Sequence, residues 1–358
     1  MSLAALLALL LGVSLTAYAL FAGADFGAGV LDLLAGRHAR HRAAVETAIG
    51  PLWEANHVWL IFAITVLFSA FPSAFSALGT ALLAPLTVAA LAIVLRGAAF
   101  GLRSTVDPGT RIHSRLSLVF GAASVVAPFA FGLVAGGIAV ASRAAGANGV
   151  ASASRAAGAN GVASASRAAV GRAGAVPSIP WSGTFAIVVG ALSVCLCSAL
   201  AASFVAVRLA RAGETRLAAR FRRRGMQAWA GVLALGGAAL GVAASASPAL
   251  FHRLTGAALP LVVLGFAAAT LSAVALAGCR YRLARAGSLL TGAALVWGWF
   301  VAQAPDLIGP RVTIHSAAAT PPALTAVAIA CGLVLLGVLP ALCLLFVMFS
   351  RPRPEVFE

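Results

Sequence analysis

Apolar runs of about twenty residues alternate with short polar breaks along most of the chain. A bilayer core takes about 20 helical residues to cross. The runs therefore predict nine membrane-spanning helices, near 3–34, 51–75, 78–101, 117–141, 184–208, 227–246, 256–278, 287–304 and 323–349. The implied fold class is all-α and polytopic, one membrane domain over residues 1–358. The link at 76–78 is the shortest break. The N-terminal MSLAALLALLLGVSLTAYALFAGADFG lacks a basic leader, and its apolar run is longer than the core of a cleaved signal. It is read as a retained first span.

Composition supports this: 61% of the 358 residues are hydrophobic and only 9% are charged. All 25 basic residues are arginine against nine acids, a formal charge of +16. With no soluble domain to display them, the arginines are topology signals rather than a nucleic-acid surface. Sorted by alternate loops, 19 fall on one side and six, Arg143, Arg155, Arg167, Arg172, Arg253 and Arg311, on the other. The positive-inside rule then places the N-terminus outside and the C-terminus in the cytoplasm. The five cysteines (195, 197, 279, 331, 343) lie in or beside apolar runs without a C-x-x-C pair, so they indicate neither a disulfide framework nor a zinc site.

The loop after the fourth span repeats SRAAGANGVASA at 142–153 and 154–165, then begins a third copy. Small residues at this density bury no core. Although part could be helical, the Gly and Asn of each unit favour a flexible external low-complexity loop over 142–176.

Ionisable groups inside a span cost about 2.5–3.5 kcal/mol on insertion scales, which makes each one a candidate for function. The first span carries Asp25 and Asp32, seven residues apart on one face, with Gly29 between them to admit a close neighbour. The second begins WEANHVW: Glu54 and His57 stand at i,i+3, Asn56 lies between them, and Trp53 and Trp59 flank the group. The third ends VLRGAAFGLR, with Arg96 two turns from the loop. Under the deduced topology, Asp25, Glu54, His57 and Arg96 share a depth in the cytoplasmic half. Two readings stay open. Arg96 neutralises one carboxylate as a packing pair, or the surplus acids and the histidine carry protons from the cytoplasm. Trp53 reads as an interface anchor and Trp59 as packing.

Of six histidines (38, 41, 57, 113, 252, 315), only His57 falls inside an expected span, and Met1, Met226 and Met348 lie at span ends. Haem held between two axial ligands is therefore not expected in this chain alone. Nor is there a metal-ligand cluster, a phosphate loop or a nucleophile motif.

GADFGAGVLDLL, GPLWEANHVWLI, FSAFPSAFSAL, LAIVLRGAAFGLR and WGWFVAQAPDLIGPRVTIHSAAA follow one another as in subunit II of the cytochrome bd-type quinol oxidases, which the chain resembles over nearly its whole length. The WEANHVW form is similar to that of the cyanide-insensitive branch. The resemblance implies nine helices, arranged as two four-helix bundles plus one peripheral helix, in a respiratory complex of the bacterial cytoplasmic membrane that oxidises quinol and reduces oxygen to water. It also implies a haem-binding partner, subunit I, which holds haems b and d and takes the quinol. Subunit II holds no catalytic haem and contributes to proton uptake. A small accessory subunit, membrane lipids and a structural quinone in this chain are left open as further partners.

Carried across, the resemblance gives a proton pathway of Asp25, Glu54 and His57, with Arg96, Asn56, Trp53, Trp59 and Asp32 as structural or charge partners. The chain departs from many relatives in having Glu54-Ala55 for Asp-Gly and Ala22 where some carry an acid, and the 142–172 insert is its own. Two competing readings use the same residues: a proton-coupled secondary transporter, whose signs would be inverted repeats and broken helices, and an assembly subunit with an inert cluster.

Overall fold

The computed structural model describes residues 2–35, 56–107, 109–157, 179–308 and 312–350. Eleven helices and one short hairpin account for most of them. In chain order the helices are α1 Leu3–Ala35, α2 Asn56–Ala70, α3 Pro72–Ala81, α4 Leu83–Arg103, α5 Arg111–Ala157, α6 Thr184–Arg211, α7 Thr215–Ala246, α8 Pro248–Thr255, α9 Leu259–Ala277, α10 Tyr281–Gln303 and α11 Pro321–Ser350. Strands β1 Asp306–Ile308 and β2 Val312–Thr313 pair antiparallel between α10 and α11. Among the described residues eight helices are long and apolar enough to cross a bilayer, nine if α2 and α3 form one bent span.

Helices dominate because lipid offers the backbone no hydrogen-bond partners, so each segment satisfies its own. Helix-to-helix contact then relies on close approach rather than on hydrophobicity, and small residues line the seams. Gly132 and Gly136 of α5 lie against Gly190 and Ala186 of α6. Gly225 of α7 lies against Ala202 of α6. Helix α6 is the most enclosed span and packs on α1, α5, α7 and α10. A second bundle closes through α6, α7, α9 and α10. The first is built on α1, α4 and α5, with α2 joined to α1 through Asn56. Helix α11 stays outside both, touching α1, and most of its side chains over 321–344 are exposed.

Helix boundaries differ from the sequence expectation in informative ways. The second span, expected as continuous over 51–75, breaks at Phe71 and turns by 115° into α3. Pro72 sits in the first turn of α3, where its missing N–H costs nothing. Phe71 is fully buried, and the Ala319 amide donates to the Ala70 carbonyl at 2.9 Å, satisfying one of the acceptors the break exposes. Helix α7 starts at Thr215 rather than near 227, because arginines mark the edge of a membrane without ending a helix. Helix α5 runs to Ala157 and so includes the first copy of the repeat, while residues 158–178 lie outside the described residues. Helix α8 and the hairpin carry no long periodic pattern and were not expected.

The molecule has two chemically different ends. At one, Arg224 of α7 donates to the carbonyls of Leu31 and Leu34 at 3.2 and 2.6 Å, supplying cationic partners to the C-terminal turn of α1. Helix α4 finishes at this end too. At the other, the hairpin and α3 meet in a cluster of Phe71, Ala74, Ile308 and Ala317. There Arg253 donates to the Ala304 carbonyl at 2.5 Å, just past the end of α10.

Candidate functional site

Two ion pairs join α1 to α4. Arg96 grips Asp25 through both carboxylate oxygens, Nη2 to Oδ1 at 2.5 Å and Nη1 to Oδ2 at 2.8 Å. Its Nη2 also donates to the Asp25 carbonyl at 3.0 Å. Arg103 Nη1 reaches Asp32 Oδ2 at 2.7 Å. All four residues are 5% exposed or less. The acids are seven residues apart, the arginines are seven apart, and each pair spans 71 positions. Seven residues is close to two helical turns. Two helices running the same way therefore present matching charges twice, forming a ladder of two rungs.

The arginine stems can bridge the helices because α5 lies behind both. Ser124 of α5 accepts a 2.9 Å hydrogen bond from Arg96 Nε and donates its own hydroxyl to the Phe120 carbonyl at 2.7 Å. The Arg96 guanidinium sits 5.2 Å from the Phe26 ring and 4.8 Å from the Phe120 ring. Arg103 lies over the same Phe120 at 4.9 Å. One aromatic ring thus faces two guanidinium groups, each attracted by its quadrupole. Gly29 makes the arrangement fit, since any Cβ there would collide with the Ser124 side chain.

Asn56 of α2 donates from Nδ2 to Asp25 Oδ2 at 2.9 Å. Asp25 therefore ties three helices together: its own, α4 through Arg96 and α2 through Asn56. His57 follows on α2 and is half-buried. Trp59 is buried in one cluster with Tyr18, Ala22, Phe26 and Ala92. Glu54 and Trp53 lie outside the described residues. Of the expected constellation, the structure brings together Asp25, Arg96 and Asn56, and puts Asp32 one rung away.

Sequence reasoning missed Arg103 and Ser124. Arg103 is one of the 19 arginines that mark one side of the membrane, yet it lies within α4 and gives Asp32 a cation of its own, so Arg96 does not balance the acids alone. The available signal was the spacing: a pair of acids at i,i+7 in one span and a pair of arginines at i,i+7 in another. Among the described residues no three His, Cys, Asp or Glu side chains gather as a metal site. The described histidines, 57, 113, 252 and 315, fall on four separate segments.

Comparison with known proteins adds to the geometry. A family model described as cytochrome bd terminal oxidase subunit II matches residues 3–349. The chain is similar to the cytochrome bd ubiquinol oxidase subunit 2 of Bacillus subtilis (strain 168), 31% identical over 126 residues, which cover 35% of this chain and 37% of that protein. It is also similar to the cytochrome bd-I ubiquinol oxidase subunit 2 of Escherichia coli (strain K12), 30% identical over 130 residues, 36% of this chain and 34% of that one. These alignments span about a third of either relative's length. In three dimensions it resembles the bd oxidase of Geobacillus thermodenitrificans with a TM-score of 0.74, over 99% of this chain and 100% of that chain, at 19% identity. That likeness speaks to fold.

Proposed function

Because the chain belongs to the cytochrome bd terminal oxidase subunit II family, we propose that it is the non-haem subunit of a membrane quinol oxidase, supporting a haem-bearing partner and contributing to proton uptake from the cytoplasm. It is not catalytic alone. The observation that carries the reading is the buried, charged junction of Asp25, Arg96 and Asn56 inside an otherwise apolar bundle. Polar groups in lipid are costly, and here three helices converge on one of them.

Within the junction the roles divide. Arg96 and Asn56 hold Asp25, and Arg103 holds Asp32. Glu54 and His57 are the groups that pass protons, with Asp25 at the inner end of their path. The haems b and d belong to the partner subunit. A quinone bound in this chain would be structural. The arginine-rich end faces the cytoplasm of a bacterial membrane, with the N-terminus outside. The uncovered apolar faces of α2 and α4, with Ile61, Phe68, Leu91 and Val94, suit lipid or the partner. The bend between α2 and α3 gives the transporter reading little support, since it lies 15 residues from Asn56, roughly 20 Å along a helix.

The test is the complex itself. Glu54→Gln keeps shape and hydrogen-bonding reach but removes the titratable site. The expected result is normal assembly and haem content with loss of quinol-driven oxygen uptake across pH, and partial activity for Glu54→Asp. Normal turnover in an assembled Glu54→Gln complex would sink the relay. Solute flux by the chain alone would return the transporter to first place.

A further inference from the structure

At the arginine-rich end, a cleft of about 410 Å³ opens between the C-terminal end of α6 and the start of α10. Both edges are shaped by the same backbone device. After α6, Gly213 takes φ 77°, while the Glu214 amide returns to Leu209 O at 3.0 Å and the Gly213 amide to Ala210 O at 3.4 Å. After α9, Cys279 takes φ 58°, while Arg280 N returns to Ala275 O at 2.8 Å and Cys279 N to Leu276 O at 3.2 Å. These paired i−5 and i−3 bonds around a left-handed residue stop both helices sharply. The second turn brings Arg280 and Arg282 across from Arg211.

The lining is cationic and apolar at once. Arg211, Arg280 and Arg282 stand beside Val207, Ala210 and Leu283, and among the described residues no acid lines the cleft. Residues 208–224 and 280–285 together hold ten arginines against one acid, Glu214. Mutual repulsion among guanidinium groups at the rim is relieved by a shared anion. The planar forks of arginine match phosphate oxygens in pairs. The cleft also stands where two membrane-spanning helices end, the level at which lipid phosphates lie.

We infer that this cleft binds a phosphate group, that of an anionic phospholipid, with Arg211, Arg280 and Arg282 on the phosphate and Val207, Ala210 and Leu283 against the glycerol and upper acyl carbons. The inference does not depend on the proton path. Free phosphate shares the anion chemistry but has nothing to place on the apolar wall.

The test uses the full chain, purified in mild detergent, stripped of lipid and titrated separately with phosphatidylglycerol, phosphatidylcholine and inorganic phosphate. Bound lipid is read by native mass spectrometry and fold by melting temperature. Phosphatidylglycerol should bind at least tenfold more tightly than phosphatidylcholine. Arg211→Gln with Arg282→Gln should weaken it at least tenfold. Arg216→Gln with Arg223→Gln, the same charge change on α7 outside the cleft, should weaken it less than threefold. Ala210→Trp fills the cleft without changing charge and should also abolish binding, which keeps the test decisive if the arginine variant fails to fold. Equal losses from the two arginine pairs, or full binding to Ala210→Trp, would overturn the site in favour of diffuse attraction. Displacement of phosphatidylglycerol by equimolar inorganic phosphate would overturn the lipid and leave free phosphate as the ligand.

Discussion

Arg96 is held by Asp25 and Phe26 of α1 and by Ser124 and Phe120 of α5, so removing it strands a buried carboxylate. Breaking such a pair from one side costs about 3–5 kcal/mol, whereas replacing both partners is much less harmful. Arg96→Met should therefore abolish recovery of folded chain in detergent. Asp25→Asn combined with Arg96→Met should restore much of it, as read by monodispersity on size exclusion and by melting temperature. A double variant as poor as the single would remove the pair from the list of structural determinants. Cys279 presents the opposite case, a side chain in a conformation that suits glycine. Cys279→Gly should stabilise the chain by up to about 1 kcal/mol. A hydrogen bond with Tyr281, and a second from Arg222 at 2.7 Å, hold this exposed thiol below its ordinary range. More thiolate is then present at neutral pH, and alkylation at pH 7 should outpace that of an unstructured cysteine peptide and slow in Tyr281→Phe. At this scale the sequence made visible which residues were out of place in lipid. It did not show who pairs with whom, because a bond across 71 positions depends on how helices pack and not on local spacing.

The helices themselves were legible wherever an apolar run coincided with a complete membrane crossing, as in α1, α6 and α9. Boundaries failed where two physical signals part company. A run of arginines ends the apolar stretch before α7 but continues its helix, and Pro72 breaks a helix inside an unbroken apolar stretch. Glycine divides in the same way. Gly27 and Gly29 lie against the Cys197 carbonyl and Ser124, while Gly97 and Gly101 have open space around them. Alanine at 27 or 29 forces α1 away from α6 or α5 and should cost about 1–3 kcal/mol. Alanine at 97 or 101 in the isolated chain should be neutral or stabilising by up to about 1 kcal/mol. Melting temperatures of the four variants would separate the two groups, and equal losses would contradict the packing described.

For the whole molecule, all-α architecture and division into two bundles with one outer helix agree with what the family resemblance implied. The hairpin and α8 escaped because they are too short for periodicity to register. Sidedness rests on the uneven distribution of arginines. Reporter fusions within 209–226 should report the cytoplasm, and external activity there would reverse the topology. Removing 142–165 should leave assembly and oxygen uptake nearly intact, because two copies of a small-residue repeat add no core; loss of the complex would refute that. The chain expressed alone should carry no stoichiometric haem in its visible spectrum, and a reproducible ratio near one would refute that as well.

The ladder also imposes an order on biosynthesis. Asp25 and Asp32 leave the ribosome 71 residues before the arginines that neutralise them. At about 5–20 residues per second, each acid waits roughly 4–14 s for its partner. During that interval α1 carries two uncompensated acids and is poorly suited to release into lipid. Its final seating belongs to the moment when α4 emerges, with Asp25 meeting Arg96 first and Asp32 meeting Arg103 about a second later. Helix α1 is thus among those whose insertion is completed only after later ones arrive, and translational pausing between α1 and α4 would lengthen the period in which the nascent chain is open to quality-control proteolysis.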